Sequence, residues 1–186
     1  MPLSVVVSDT CSALNLLATD RALDLLQALD WTLVLHPEVK QEAKYLRGPP
    51  DEEGRPTRLA CDWEPLERAG RVRAPSADDL GPRFDDAFID AAAFLTDVDA
   101  KAVALAGTLG VPLFSDDGKV RKIFHQLYPA LELQATLAVL RRAAKPLRLG
   151  KVGVGALLSA LRERARFAPP RNDPDRGWYE THLSRP

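Results

Sequence analysis

The sequence is short of cysteine, of any excess charge and of long apolar runs, and each shortage closes off a class of protein. Its only two cysteines, Cys11 and Cys61, stand alone, with no metal-type spacing around either. That excludes a disulfide framework or a cysteine-built zinc site, and a thiol-reduced cytoplasmic protein is the default expectation. Twenty-five Lys and Arg against 26 Asp and Glu leave a net charge of -1, so no global attraction to a polyanion exists. A nucleic acid would have to be held by a local patch or through a metal ion. Apolar runs such as Leu3 to Val7 are far too short for a bilayer, so no membrane span is expected. No basic segment followed by an apolar stretch opens the chain, and no secretory signal is expected. A Gly-x-Ser-x-Gly elbow is missing, and His36, His125 and His182 form no evident pair, so serine or cysteine hydrolysis finds no support.

What remains is a globular composition, 46% hydrophobic and 27% charged over 186 residues, enough to bury a real core. Ser4 to Ser8 is a β-branched run of the kind buried on both faces of a parallel sheet. Further short strands are predicted at Thr32–Leu35, Arg71–Ala74, Val111–Ser115 and Leu131–Gln134. Helical periodicity fills the stretches between them. It includes a segment after Asp20 read as an N-cap, one opened by Pro37 and running to Leu46, and others over 84–95, 97–109 and 119–127. The breaker-rich stretch from Arg47 to Glu64 reads as a mobile loop. Alternating strands and helices predict a three-layer α/β/α domain with a mostly parallel sheet over residues 1–149. Residues 150–186 are expected to add a C-terminal helix and an extended, Pro-rich tail, with Trp178 and Tyr179 packed on the domain or a second subunit.

In such sheets ligands bind beyond the carboxyl ends of the strands. Asp9 falls there after the first strand, and Asp116 and Asp117 after the strand ending at Ser115. Two more acids sit on helix faces that should be apolar. Glu42 follows Val39 by three on the stripe Val39, Ala43, Leu46, and Asp99 precedes Ala102, Val103 and Ala106 by three, four and seven. A carboxylate aimed at a core costs several kcal/mol unless it is paired or bound to metal. Asp86 and Asp90 provide the contrast: they lie opposite Phe84, Phe88 and Leu95 and read as a solvated face. Each candidate also has a purely structural role open to it. Asp9 and Asp117 suit helix caps, Glu42 a rim ion pair, and Asp99 a first-turn acid facing the helix dipole.

Together Asp9, Glu42, Asp99 and Asp117 form a candidate catalytic set of hard oxygen donors suited to Mg²⁺ or Mn²⁺. One or two such ions could activate water at a phosphodiester. Thr10, Ser115 and Asp116 are placed to support the set, and Lys119, Arg121 and Lys122 to hold a flanking phosphate backbone, although an ordinary exposed basic face fits those three equally. An aspartyl phosphatase of the haloacid-dehalogenase type would need a second aspartate where Cys11 stands. The glycines of Gly150–Gly155 lack the lysine-hydroxyl ending of a phosphate loop.

These blocks resemble those of the PIN-domain ribonucleases. Val5–Leu14 is similar to the family's opening strand with its first acid at Asp9. Pro37–Glu42 resembles its second block and Asp97–Ala106 its third, with Asp99 in the acidic position. Leu113–Asp117 looks like its hydroxyl-x-aspartate block, matching Ser115 and Asp117. The order and spacing of all four agree over roughly residues 1–145. The resemblance implies an α/β/α fold and Mg²⁺- or Mn²⁺-dependent endoribonuclease action, with Asp9, Asp99 and Asp117 holding metal. It also implies homodimers and, for bacterial members of the VapC type, a toxin silenced by a small antitoxin. A catalytically silent module of the same fold, binding RNA or a partner protein, is the alternative. The 47–64 stretch and the extension after Gly150 depart from the compact toxins.

Overall fold

The computed structural model describes residues 4–183, and its centre is a five-stranded parallel sheet. In chain order the elements begin with β1 (Ser4–Ser8), α1 (Thr10–Ala18), α2 (Ala22–Ala28), β2 (Trp31–Val34) and α3 (Pro37–Glu42). A hairpin of β3 (Tyr45–Pro50) and β4 (Pro56–Ala60) follows, then α4 (Glu64–Arg68) and β5 (Val72–Arg73). The second half holds α5 (Pro82–Ala92), α6 (Asp97–Leu109), β6 (Leu113–Phe114), α7 (Gly118–Leu127), β7 (Leu133–Gln134) and α8 (Thr136–Ala144). It closes with α9 (Lys151–Arg164) and α10 (Arg176–His182).

The strands lie in the order β5-β2-β1-β6-β7, every pair parallel. The chain therefore winds from β1 outward to β2 and β5, then returns past β1 to β6 and β7. Right-handed crossovers require helices made while moving one way to lie on one face, and those made while moving the other way on the opposite face. Accordingly α1 and α2 group with α8 and α9, while α5, α6 and α7 group together with α6 lying on β1 and β6. The result is a three-layer α/β/α domain. Val6, Val7, Leu33, Val34, Leu113 and Phe114 are buried between the two helical layers, as their continuous apolar character requires.

Winding in both directions from β1 leaves a crevice where the strand order reverses, at the carboxyl ends of β1 and β6. This topology brings Asp9 and the Ser115–Asp117 turn face to face across about a hundred residues of chain, and the Asp9 N–H donates to the Phe114 carbonyl at 3.2 Å.

Three expectations from the sequence need correction. The 47–64 stretch is largely a β-hairpin, not a loop: β3 and β4 pair antiparallel with Tyr45 opposite Ala60, Leu46 opposite Leu59 and Arg47 opposite Arg58. Its turn is built by Asp51, whose Oδ1 accepts from the N–H groups of Glu53 and Arg55, and by Gly54 at φ 78°. Asp20 does not cap α2. It sits at φ 56°, its carboxylate is held by Arg164, and Arg21 takes the cap position without a side-chain bond. The C-terminal tail is not wholly extended, because α10 forms and seats Tyr179 edge-on against Phe167, both buried, with centroids 6.2 Å apart. Val154, Leu157, Leu158 and Leu161 of α9 join the same apolar cluster as the sheet.

α6 shows how tightly the layer beneath the site is packed. A β-carbon at Gly107 would overlap the ring of Tyr128, which leans on Phe124 of α7 with ring centroids 5.5 Å apart. Gly107→Ala should therefore destabilise the fold by about 1–3 kcal/mol despite the better helix propensity of alanine. A urea titration checks this, and a stabilised variant would show that Tyr128 moves aside freely.

Candidate functional site

Asp9 caps α1. Its Oδ1 accepts from the Ser12 N–H at 2.7 Å, and the residue is only 2% exposed. One oxygen thus does what an N-cap requires. The other, Oδ2, is buried with no hydrogen-bond partner. Burial is the largest influence on this carboxyl and pushes it up to about 6. The nearby hydroxyl of Ser115, which makes no hydrogen bond to Oδ2, and the Ser12 contacts draw it back, while the Asp116 charge raises it further. A buried carboxylate oxygen without a donor is costly, and native proteins rarely leave one without a purpose.

The other three acids stand at helix ends. Glu42 ends α3 and is exposed. The helix stops there with Ala43 as its C-cap, so Leu46 never extends the stripe, and the core-facing expectation for Glu42 is corrected. Its Oε2 instead takes the Thr10 hydroxyl at 2.5 Å, joining α3 to α1. Asp99 is half-buried in the first turn of α6, in a box with the N-cap: the Thr96 hydroxyl donates to its Oδ2 at 2.8 Å, and its N–H reaches back to Thr96 Oγ1. It sits half-buried at the N-terminal rim of the stripe that Ala102, Val103 and Ala106 continue, so its carboxyl serves the helix start and not the buried core. Asp117 caps α7 through Oδ1, accepting from Lys119 and Val120 at 2.8 and 2.9 Å. Asp86 and Asp90 are exposed on α5, as a solvated face should be.

Cys11, exposed in the first turn of α1, feels the charge of all four acids. Its thiol is pushed up to about 11, first by burial and then by the charges of Asp9, Asp99, Asp117 and Glu42. The four carboxylates named from the sequence are thus all within electrostatic reach of one thiol, although among the described residues no three of them close on one point. The residue is poorly nucleophilic at neutral pH, and the only sequence signal for it was its place two residues after Asp9.

Asp116 belongs to a different structure. Its Oδ1 accepts from the Thr136 N–H at 2.9 Å, and its Oδ2 takes the Asn15 side-chain amide at 3.1 Å and the Thr136 hydroxyl. Its N–H donates to Ser12 Oγ at 3.1 Å. Asn15, Thr136 and Ser12 are all buried. This polar knot ties α1, the end of β6 and the start of α8 together.

The basic trio divides as well. Lys119 and Lys122 are exposed. Arg121 donates to the carbonyls of Ser115 and Gln134 at 2.8 and 3.4 Å, clamping the ends of β6 and β7. It also lines a cleft of about 550 Å³ with Lys122 and the tail residues Pro170 and Asp173.

The donors are all hard oxygens, as Mg²⁺ or Mn²⁺ prefers, and Asp9 Oδ2 is an orphan a cation would satisfy. Among the described residues, no three His, Cys, Asp or Glu side chains are gathered closely enough to hold an ion as they stand. Among the same residues no helix is long and apolar enough to cross a membrane. Compared with protein-family models, curated proteins and solved structures, the chain matches none.

Proposed function

We propose that this chain is a divalent-metal-dependent endoribonuclease of the PIN-domain type, acting in the crevice between the ends of β1 and β6. The observation that carries the reading is the buried Oδ2 of Asp9 at the switch point of the sheet, without a hydrogen-bond partner among the described residues. Asp9, Asp99 and Asp117 would hold one or two Mg²⁺ or Mn²⁺ ions. A bound ion supplies a more acidic water and neutralises charge at the scissile phosphate. The capping bonds use Oδ1 of Asp9 and of Asp117 and leave the second oxygen of each outside the cap. Glu42 has Oε2 anchored by Thr10, which leaves Oε1 on the exposed side to accept a proton from the attacking water. Lys119 and Lys122 would meet the phosphates. On the same resemblance the chain would act as a cytoplasmic homodimer and as the toxin partner of a small antitoxin.

A second reading, a non-cutting module of the same fold, is favoured by one observation: the carboxylates of Asp99 and Asp117 already serve their helix ends and no three acids close on one point. Incubating the purified chain with a quenched fluorescent RNA and Mn²⁺ or Mg²⁺ separates the two. The nuclease reading expects cleavage that chelator abolishes and that Asp9→Asn and Asp99→Asn each remove. It also expects a rise in melting temperature with Mn²⁺ that Asp9→Asn lacks. Cleavage that persists in both variants would place the activity elsewhere, and RNA binding without cleavage would select the silent module.

A further inference from the structure

Directly after Glu42 in the chain, the β3–β4 hairpin carries a basic face that the fold does not use. Arg47 and Arg58 stand directly opposite each other across the two strands, and both are exposed. Like charges in that position destabilise a ladder. Neither takes part in an ion pair among the described residues, although Arg55 in the same hairpin is bonded to both Asp51 and Glu53. Glu163 lines a cleft beside Arg47, yet no ion pair joins them.

Strand alternation places Tyr45 on the same face as Arg47. Its ring is 52% exposed and lies 5.6 Å from the Arg58 guanidinium. Beside Tyr45 in the chain stands exposed Lys44, whose N–H donates to the Glu42 carbonyl at 2.8 Å. Lys44 and Tyr45 wall a cleft of about 590 Å³ whose lining includes buried Trp63. The other cations there, Lys40 and Arg73, are bonded to Glu67 and Asp79, so Lys44 is the one without an ion pair among the described residues. The indole N–H of Trp63 has no partner.

We infer that this hairpin face is a binding surface for single-stranded RNA. It would seat the phosphates on Arg47, Arg58 and Lys44, stack a base on Tyr45, and lead the strand past Lys44 to Glu42. Cations interleaved with an exposed aromatic ring are the elements of a single-strand platform. An acidic protein segment would answer the arginines but would leave the ring between them without a role. The inference rests on the reading of the adjoining site as one that acts on RNA, and it adds phosphate contacts to Lys119 and Lys122, since Arg121 is committed to backbone carbonyls.

Fluorescence anisotropy with a labelled 12-nucleotide RNA, in chelator so that nothing is cut, tests it on the full chain. Wild type should bind the single strand more tightly than the same sequence as a duplex. Arg47→Gln with Arg58→Gln should weaken binding about tenfold at moderate salt and reduce the slope of log K against log salt by about 1.4, two phosphates' worth. Tyr45→Ala should weaken it roughly tenfold at unchanged slope, and Tyr45→Phe should restore it. Asp9→Asn, tested in parallel, should bind as wild type. Circular dichroism melts confirm that each variant is folded. Unchanged affinity and slope in the double arginine variant would overturn the inference even if the chain cleaves RNA. So would a wild-type chain that binds neither oligonucleotide. Arginine-dependent binding by a chain that never cleaves would retain the hairpin surface and remove only the nuclease reading.

Discussion

Asp9→Asn is expected to lower metal-dependent RNA cleavage by more than about 100-fold, since even residues behind a metal ligand cost 10- to 100-fold when lost. In the metal-free protein it should abolish a pH dependence of stability. The Asp9 carboxyl is held up to about 6 by burial, against an ordinary value of 3.8. Between those values the unfolded chain has released its proton while the folded chain keeps it. The folded state then binds more protons, so stability falls as pH rises. The loss starts near pH 4, is complete just above pH 6, and amounts to roughly 3 kcal/mol. Asparagine keeps the cap acceptor for the Ser12 N–H and carries no charge, so in chelator its profile should lack this fall, and the difference between wild type and variant isolates the Asp9 contribution. Urea unfolding at pH 4.5 and 7 measures both. A wild-type profile that parallels that of Asp9→Asn over the interval would mean that Asp9 is ionised and solvated, and its candidacy as the centre of the site would go with it. Added Mn²⁺ at pH 7 should restore the lost stability in wild type alone, because a ligand that binds only the folded state stabilises it.

Asp116→Ala is expected to produce the largest stability loss of any single acid, about 3 kcal/mol, or roughly 6–12 °C in melting temperature for a chain of this size. It removes the acceptor for the N–H and hydroxyl of Thr136 and for the Asn15 amide, leaving buried donors unpaired. Asp117→Ala removes only a cap on an exposed helix start and should cost about 1 kcal/mol. The two neighbours should therefore separate: Asp116 sets stability, and Asp117 sets metal response and cleavage. Differential scanning calorimetry of both variants decides the matter, and equal melting temperatures would show that the Asp116 knot contributes little.

Local pattern carried much of this molecule into view. The bounds of β1 and α6 follow from the apolar run Ser4–Ser8 and the periodicity of Asp97–Leu109, both of which the structure reproduces. Alternation of strand and helix sufficed for the parallel three-layer fold, and Asp9 and Asp117 were recognisable as caps because capping depends on residues two or three positions away. The face reasoning for Glu42 and Asp99 chose two acids whose charges reach Cys11, but neither is buried in the core: α3 ends at exposed Glu42, and Asp99 is half-buried and bonded to Thr96 at its helix start.

The sequence by itself determined the strands of the central sheet, most of the helices between them, their parallel stacking and the supply of acids at strand ends, because each depends on propensity and spacing within a turn or two. Tertiary structure decided the rest. It paired the breaker-rich 45–60 stretch into a hairpin through cross-strand partners that no local window contains, and it drew Asp116 to Asn15 and Thr136, residues distant in the chain. It also left one oxygen of Asp9 buried and unpartnered. Whether a polar atom finds a partner depends on what else folds over it, and that is settled only when the layers close.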